Sequence, residues 1–439
     1  MRLHRLELHN FKGFEQQTFE FPCQFNLLVG NNGSGKTNVL DAAAVALGIW
    51  LVEPPDKKLV TSRRSIFEKE IRLWPEPVGD RVQFQPCHPV FVKAIGQIAD
   101  KKDVQWTSAI KEAGKNVTRP DSQTALSTIR KVFASNSNGT RTICPVIAYY
   151  GAGRAWLPSK QIGKKSQESH EPARRWKAFH DCLSERIRFQ DLVDWFRSET
   201  IASANRGGRM RPGFEAVKRA ILQCVPEADG AWYDDDQKDI ILSLGGQAQP
   251  MKNLSAGQRM MLAVVGDLAI RCITQNAHLL PADELGPEDN PLPRVLKETP
   301  GVALIDELDV HLHPKWQRRV ATDLKRTFPL IQFICTSHSP QVIGEVMPEE
   351  LQFLKNGVAS RNCGQSFGMD SNWILSVLMD ADPMDEGVER RLDEIKTLLV
   401  EGNIDQATAI LNELRGEVGN SGAIQRAASS IERFKYLHK

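Results

Sequence analysis

One stretch near the N-terminus constrains the fold of this chain more than any other. Residues 30–37 read Gly-Asn-Asn-Gly-Ser-Gly-Lys-Thr and fit the phosphate-loop pattern G-x-x-x-x-G-K-[ST]. An apolar strand pattern precedes the loop at residues 25–29, and a helical pattern follows it at residues 38–49. This is the context in which such a loop binds phosphate, so the sequence predicts an α/β nucleotide-binding core.

The phosphate loop (residues 30–37) offers backbone N–H groups, an amine and a hydroxyl to a bound nucleotide. Its glycines let consecutive N–H groups face the phosphates, Lys36 reaches the β- and γ-phosphates, and Thr37 provides a ligand for Mg²⁺. We predict nucleotide contacts along the loop and at the residue after it: Gly30, Asn31, Asn32, Gly33, Ser34, Gly35, Lys36, Thr37 and Asn38.

Two carboxylates end a second apolar strand pattern. Residues 302–305 are Val-Ala-Leu-Ile, and Asp306 and Glu307 follow them. A carboxylate pair at the C-terminal end of a buried strand is costly to desolvate without a cation or a reaction. We predict that Asp306 holds Mg²⁺ together with Thr37, and that Glu307 orients and deprotonates the attacking water.

A histidine follows the next strand pattern, at residues 332–335. His338 lies in the small polar turn Thr-Ser-His-Ser-Pro, residues 336–340. A lone histidine is usually structural, but this one comes one strand after the carboxylate pair. That position favours contact between His338 and a γ-phosphate oxygen.

The signature stretch, residues 253–259, reads Asn-Leu-Ser-Ala-Gly-Gln-Arg and opens a helical pattern over residues 260–272. Ser255 is a good N-cap, and Gly257 leaves the free N–H groups of the helix open to a phosphate. Alone, such a stretch is more often a plain cap. The accompanying phosphate loop, carboxylate pair and histidine favour a ligand site.

The long insert at residues 51–246 is less regular. Strand patterns at residues 90–95 and 104–110 predict a small antiparallel lobe. The pattern of residues 176–201 predicts helical structure. The net charge of the whole chain is only +2, but residues 154–219 carry 15 Lys or Arg against 8 Asp or Glu. Such a basic region fits either a nucleic-acid contact or a solvated surface.

The tail, residues 361–439, predicts helices with apolar stripes. The stripes consist of Val388, Leu392, Ile395 and Leu399; Ile404, Ala407, Ile410, Leu411 and Leu414; and Ile424, Ala428, Ile431 and Phe434. Residues 380–417 hold 11 acidic against 4 basic residues. The stripes can pack into a small helical hairpin or bundle. This acidic unit is either a docking surface for a basic protein or packs back on the head.

Several site classes are not indicated. The eight cysteines form no C-x-x-C pair, which argues against zinc and suits a reducing compartment. Asp380 and Asp382 follow a helical pattern rather than a buried strand, so we assign no nuclease metal site to them. No apolar run reaches the roughly 18 residues of a membrane helix, and we expect a cytoplasmic protein without a membrane contact.

In combination, these motifs resemble the head of an ABC-type ATPase. Asn10-Phe11-Lys12 and the turn around His338 resemble the RecF, SMC and OLD branch. The resemblance implies an α/β head, with a mixed sheet and flanking helices, divided into residues 1–50 and 247–360. It also implies ATP and Mg²⁺ as cofactors.

The resemblance further implies that two heads sandwich two ATP molecules. Ser255, Gly257 and Gln258 of one subunit would then contact the ATP on the phosphate loop of the other. Catalysis would depend on Lys36, Glu307 and His338.

Within that branch, residues 149–154, residues 309–317 and the segment that begins at Ser366 resemble the PtuA ATPases of Septu anti-phage systems, which also accompany some retrons. This implies a homodimer or larger homo-oligomer with slow, regulatory ATP hydrolysis and no nuclease site of its own. The implied partner is a PtuB-like HNH nuclease, bound through the tail, with DNA contacted directly or through that nuclease. The alternative is a RecF-like ATP-dependent DNA-binding clamp in DNA repair.

Overall fold

The computed structural model describes residues 1–137, 141–155, 174–355, 357–361, 365–381 and 384–437, which divide into two compact units, Met1–Met369 and Asp370–Lys439. The strands are β1 (Arg2–Phe11), β2 (Phe14–Glu20), β3 (Phe25–Gly30), β4 (Leu73–Val78), β5 (Arg81–Pro86), β6 (Val90–Ile98), β7 (Lys101–Ile110), β8 (Val146–Tyr150), β9 (Ala228–Asp234), β10 (Asp239–Leu244), β11 (Gln247–Pro250), β12 (Gly301–Ile305), β13 (Ile331–Thr336), β14 (Leu351–Lys355) and β15 (Val358–Ser360).

The α-helices are α1 (Lys36–Leu47), α2 (Gln123–Ser137), α3 (Phe189–Ala204), α4 (Pro212–Cys224), α5 (Ala256–Gln275), α6 (Arg294–Glu298), α7 (Pro314–Thr327), α8 (Pro340–Ile343), α9 (Ser371–Trp373), α10 (Glu386–Val400), α11 (Ile404–Val418) and α12 (Gly422–Leu437). Among the described residues, no helix combines the length and the apolar character needed to cross a bilayer.

The larger unit is built on a six-stranded sheet of order β15-β14-β3-β13-β12-β8. Its strands pair in parallel except β15, which is antiparallel to β14. Parallel strands present their C-terminal ends at one edge, so the phosphate loop, Asp306 and His338 emerge from neighbouring strands β3, β12 and β13. The mixed α/β sheet with flanking helices confirms the predicted fold class.

Helix α1 lies between this sheet and a second, antiparallel sheet of order β2-β1-β6-β7. It is buried from Val39 through Leu47, and the Trp106 indole of β7 donates a 2.9 Å hydrogen bond to the Ala46 carbonyl. Apart from Asp41, the residues from Val39 through Leu47 are apolar, and such a helix belongs in a core. The element that begins at Lys36 is thus fixed from two sides.

The structure departs from the predicted division of the chain at residue 50. β6 and β7, placed by sequence in a separate lobe, continue the sheet that β1 and β2 begin. β8 also leaves the predicted insert and pairs with β12. Alternation locates a strand, whereas its partner depends on long-range packing, and this is why the lobe was predicted as a separate body.

The helical prediction for residues 176–201 is confirmed only in part. The chain forms a 3₁₀ turn at Arg174–Phe179, and α3 begins only at Phe189. Between them, the carbonyls of Cys182 and Glu185 accept hydrogen bonds of 2.8 and 2.9 Å from the backbone N–H groups of Tyr149 and Gly151. This segment covers the edge of β8, and satisfying those edge groups outweighs helix propensity.

The remaining elements of the larger unit lead to the signature stretch. β9, β10 and β11 form a three-stranded antiparallel sheet that packs on α3 and α4. The chain then enters α5, which packs against α4 and β8. Residues 280–300 contain the short helix α6. The polar, basic segment at residues 159–172 lies outside the described residues.

The smaller unit, Asp370–Lys439, contains three amphipathic helices, α10, α11 and α12. Their buried side chains form one core: Leu392, Ile395, Leu399, Ala407, Leu411, Leu414, Ile424 and Ile431. These residues come from the three predicted stripes. Of the predicted hairpin or bundle, the structure shows a three-helix bundle. The helix predicted at residues 372–379 is α9 followed by a π-helical turn, Ile374–Leu378, and Asp382 lies outside the described residues.

Candidate functional site

The phosphate loop ends at an uncapped helix N-terminus. Gly35, the N-cap of α1, has a φ of +100°, and the helix has neither a side-chain cap nor an acidic residue in its first turn. Its free N–H groups therefore present positive partial charge to an anion. The Ser34 hydroxyl is buried without a hydrogen-bond partner among the described residues. The loop thus offers donors that fit the oxygens of a phosphate.

Two loop glycines are required by close packing. A Cβ at Gly30 would lie 2.2 Å from the Leu354 carbonyl oxygen of β14, and one at Gly35 would lie 2.7 Å from Cζ of Phe14. The position of the loop is therefore tied to the neighbouring strand on one side and to the antiparallel sheet on the other.

Lys36 lies along the loop. Its Nζ donates hydrogen bonds of 2.7 and 3.0 Å to the carbonyls of Gly30 and Asn31. Burial lowers the pKa of Lys36, while Asp306 and Glu307 act in the opposite direction, as does Asp309. The amine is therefore held within electrostatic reach of the carboxylates that follow β12.

A carboxylate and two hydroxyls meet at the end of β12. Thr37 Oγ1 donates a 2.9 Å hydrogen bond to Asp306 Oδ2, and Thr336 Oγ1 donates a 2.6 Å bond to Asp306 Oδ1. No group of three His, Cys, Asp or Glu side chains in the described ranges could hold a metal ion. Mg²⁺ in nucleotide sites is bound by one or two protein oxygens together with phosphates. Thr37 and Asp306 fit that donor set.

Glu307 follows with an uncommon backbone conformation. Its φ is +47°, and its N–H donates a 2.7 Å hydrogen bond to Thr336 Oγ1. Left-handed non-glycine residues cluster at functional sites, where the surroundings must stabilise them. Thr336, which we did not predict as a site residue, bonds both Asp306 and Glu307. The parallel pairing of Ile305 with Cys335 explains its place, but the register is not readable from sequence.

His338 is half-buried next to the same cluster. The backbone N–H of His338 donates a 3.3 Å hydrogen bond to Asp309 Oδ1. Burial lowers the pKa of His338, and Lys36 lowers it further, against the raising effects of Asp309, Glu307 and Asp306. The net shift of the His338 pKa is downward, which favours the neutral imidazole. The structure brings Lys36, Thr37, Asp306, Glu307 and His338 together.

Gln317 of α7 links two loops of this cluster. Its Nε2 donates to the carbonyls of Asp309 (3.2 Å) and Leu312 (2.9 Å), and its Oε1 accepts a 2.7 Å bond from Ser339 Oγ. The loop after β12 is thereby tied to the turn that carries His338. Sequence reasoning found this segment only through a resemblance and assigned Gln317 no role.

The signature stretch caps its own helix. Ser255 Oγ accepts from the Gln258 N–H (3.2 Å), and Gln258 Oε1 accepts from the Ser255 N–H (2.9 Å). A Cβ at Gly257 would lie 2.3 Å from the His311 carbonyl oxygen, so this glycine allows α5 to approach the loop after β12. Among the described hydrogen bonds, none joins Ser255 or Gln258 to the phosphate loop. Their contact with the ATP of a second subunit stays a prediction.

A buried ion cluster connects the β1–β2 turn with α1. Lys12 forms an ion pair with Asp41 of α1, and its Nζ lies 3.9 Å from Oε1 of Glu70. Arg64 donates a 2.9 Å bond to the Glu70 carboxylate, and the Tyr149 hydroxyl donates a 3.3 Å bond to Asp41. Asp41 and Glu70 are buried, so loss of either cation would leave an uncompensated buried charge, which is strongly destabilising.

Two family models match the chain. One, described as an AAA domain, matches residues 5–196; the other, described as an AAA domain, putative AbiEii toxin, Type IV TA system, matches residues 184–344. The retron Ec83 probable ATPase of Escherichia coli is 23% identical over 464 residues, which covers 91% of this chain and 80% of the relative.

A shorter match is closer in sequence. The Septu protein PtuA of Bacillus mycoides (strain KBAB4) is 42% identical over 143 residues, which covers 32% of this chain and 17% of the relative. Among solved structures, the SMC head domain from Thermotoga maritima aligns at 17% identity and a TM-score of 0.43, covering 82% of this chain and 98% of that one.

Proposed function

We propose that this chain, an ABC-type ATPase related to the retron ATPases and to PtuA of Septu systems, is the ATP-binding and hydrolysing subunit of an anti-phage defence complex. The contact between Thr37 and Asp306 carries the ATPase part of the proposal, because it joins the phosphate loop to the carboxylate that follows β12. The relatedness to PtuA and the retron ATPases supports the defence role.

The hydrolysis we propose uses the residues at the edge of the six-stranded sheet. The phosphates of ATP bind the N–H groups of α1, Ser34 and Lys36. Thr37 and Asp306 would hold Mg²⁺, which would neutralise charge that develops on the phosphates. Glu307 accepts a proton from water as the water oxygen attacks the γ-phosphorus. The bond between that phosphorus and the β–γ bridging oxygen breaks, which yields ADP and phosphate, while His338 contacts a γ-phosphate oxygen.

A second copy completes each site in this proposal. The N-terminus of α5 is a natural phosphate ligand, yet the hydrogen bonds of Ser255 and Gln258 are made with each other. In an ATP-sandwich dimer, this end of α5 would face the phosphate loop of the partner. Turnover would then be slow and regulatory, because hydrolysis depends on association of two chains.

The proposed partner is a PtuB-like HNH nuclease that supplies DNA cleavage. The smaller unit (Asp370–Lys439) exposes acidic side chains, among them Glu394, Glu401 and Asp405. Such a surface attracts a basic protein, as nucleases that approach DNA commonly are. ATP occupancy of the dimer would regulate that nuclease.

The dimer is tested by light scattering of the Glu307→Gln protein. This change removes the proposed base but leaves the phosphate loop intact, so ATP should accumulate unhydrolysed. We expect the mass of the particle to double when ATP and Mg²⁺ are added. Lys36→Ala, which removes the loop amine, should stay at the smaller mass under the same conditions.

Two results would contradict the proposal. If Glu307→Gln binds ATP and keeps its mass, there is no sandwich dimer. If the protein instead assembles on DNA when ATP is present, with binding that falls steeply with salt, the RecF-like clamp replaces the defence role.

A further inference from the structure

A two-stranded hairpin projects its side chains into solvent. Within the described part of the chain, β4 and β5 pair only with each other, and each of their residues is exposed. Paired and alternate residues share a face of a hairpin. One face is wholly apolar and is named the apolar face below: Leu73, Pro75, Pro77, Val82, Phe84 and Pro86. The opposite face is mixed: Trp74, Glu76, Val78, Arg81, Gln83 and Gln85.

The side chains of the apolar face are strongly exposed, although they are apolar. Leu73 is 52% exposed, Val82 56% and Phe84 59%. An isolated two-stranded hairpin is at best marginally stable in water, and a contiguous exposed apolar patch marks an interaction surface. The hairpin is therefore expected to gain a partner on this face.

Prolines restrict how that partner binds. Pro75 and Pro77 alternate along β4, and proline has no N–H to donate to an added strand. Within sheets, proline occurs where the ladder does not need its N–H, and it blunts an open edge. A partner is thus directed to the side chains of the apolar face rather than to the backbone of β4.

The base of the hairpin lies next to the proposed ATP site. The Lys12 N–H donates a 2.6 Å bond to the Glu70 carbonyl, and the Arg72 N–H donates a 2.8 Å bond to the Asn10 carbonyl. Lys12 also forms the ion pair with Asp41 of α1. The first residues of the hairpin are therefore bonded to the turn between β1 and β2. The buried ion cluster joins that same turn to α1, the helix that follows the phosphate loop.

We infer that the apolar face packs against a second copy of this chain when the ATP-sandwich dimer closes. The inference rests on the proposed function. A stable interface needs about 800 Å² and 20–30 residues per partner, so six residues cannot hold a complex alone. They can extend a larger interface, and the proposed sandwich closes over the phosphate loop beside which the hairpin begins.

The charge of the hairpin also favours a second copy over a charged partner. The hairpin carries two acidic residues, Glu76 and Asp80, and one basic residue, Arg81, so its net charge is close to zero. Such a charge gives little attraction to nucleic acid or to a strongly basic protein. In a twofold dimer, residue i of one subunit contacts residue j of the other, and j contacts i. A nearly neutral apolar face can therefore pack against the part of the second copy that lies opposite it without charge repulsion.

The test compares two valines near the tip of the hairpin in the Glu307→Gln background with ATP and Mg²⁺. Val82 lies on the apolar face and Val78 on the opposite face, with exposures of 56% and 52%. We expect Val82→Ser, alone or with Phe84→Ser, to raise the dimer Kd by about tenfold or more, since interface energy concentrates in a few apolar anchors. Val78→Ser should leave the Kd within about twofold. Sedimentation gives the Kd, and binding of a fluorescent ATP analogue shows that each monomer is folded.

The outcomes separate this inference from the proposed function. If the Glu307→Gln parent fails to dimerise with ATP, the sandwich itself fails, and the inference falls with it. If the parent dimerises and the Val82 and Val78 variants behave alike, only the role of the hairpin is overturned. If Val82→Ser leaves the dimer intact but loses a co-purifying nuclease, the face binds that protein, and the second-copy inference is wrong.

Discussion

At the scale of single residues, the least expected feature of the site is the number of bonds made by one neutral side chain. Gln317 donates to two carbonyls of the loop after β12 and accepts from the hydroxyl of Ser339. That hydroxyl also caps α8, because it accepts from the N–H groups of Gln341 and Val342. A side chain with three bonds between two loops restricts their relative movement. We infer that Gln317 positions the turn that carries His338 relative to the loop after β12.

Replacement of Gln317 by Met should slow catalysis more than it weakens ATP binding. The change keeps the length of the side chain but removes the two donors and the acceptor. We expect kcat to fall about tenfold, which corresponds to roughly 1.4 kcal/mol, while KM for ATP changes less than about threefold. Steady-state ATPase kinetics measure both values.

Arg318→Ala is the matched control for Gln317. Arg318 is the next residue of α7 and makes an exposed ion pair with Glu345. Because exposed pairs contribute little, both kinetic constants should stay near those of the parent. A rise of KM at constant kcat in Gln317→Met would show that this residue acts on binding and would refute the positioning role.

At the scale of elements, the contact between α5 and the loop after β12 is set by a missing side chain. Gly257 approaches the backbone of His311, whose φ is +64°. The same loop is bonded by Gln317 on its other side. The signature stretch and the carboxylate loop of one chain are therefore packed together, so the two halves of different proposed ATP sites meet within a single chain.

Gly257→Ala should destabilise the larger unit. The added methyl group would lie 2.3 Å from the His311 carbonyl oxygen. This backbone atom cannot move aside as easily as the end of a flexible side chain. Overpacking of this kind costs about 1–3 kcal/mol. Urea unfolding with a shift of the midpoint measures the loss.

Gly266→Ala provides the same substitution in the same helix. There the added methyl group would lie 3.0 Å from Cδ1 of Leu192, the end of a flexible side chain. The gain in helix propensity, about 0.5–1 kcal/mol, offsets that contact. Equal losses in the two variants would mean that the His311 loop yields easily, which would remove the argument for a rigid link.

At the scale of the whole molecule, two units of very different size have separate hydrophobic cores. The smaller unit relies on a core of eight buried residues from α10, α11 and α12. Domains of this size bury a small fraction of their surface and are only marginally stable. The larger unit contains every described cysteine, and burial raises the pKa of Cys182 and of Cys224 to about 12.

Leu414→Ala should unfold the smaller unit and leave the larger one intact. Leu414 is completely buried, and such a truncation costs about 2–5 kcal/mol, which is comparable with the stability of a small bundle. Helical circular dichroism should fall, while Cys182 and Cys224 stay protected from a thiol reagent at pH 8 and ATP binding is retained. If the smaller unit docks the nuclease, co-purification should also be lost.

Val400→Ala tests the specificity of that effect. Val400 belongs to the same unit but is 82% exposed, so its loss should change neither helicity nor partner capture. Thiols that become reactive together with the loss of helicity in Leu414→Ala would show that the units unfold as one, against the prediction.

Much of the candidate site was predictable because its motifs are local. A phosphate loop, a strand that ends in two carboxylates and a helix opened by Ser255 each depend on residues within about ten positions of one another. Their chemistry follows from residue type and spacing. The three stripes of the smaller unit were predictable for the same reason, since the helical period is a local property.

The remaining features depend on which distant segments meet. The pairing of β6 with β1, the place of Thr336 beside Asp306 and the bonds of Gln317 all join residues far apart in the chain. The segment before α3 covers the edge of β8, because its carbonyls accept hydrogen bonds from N–H groups there. These bonds outweigh the helical pattern of the segment. Sequence by itself determined the chemical groups and the local elements that carry them. Tertiary structure alone decided their neighbours, because strand register and loop contacts minimise the free energy of the whole core rather than of any one segment.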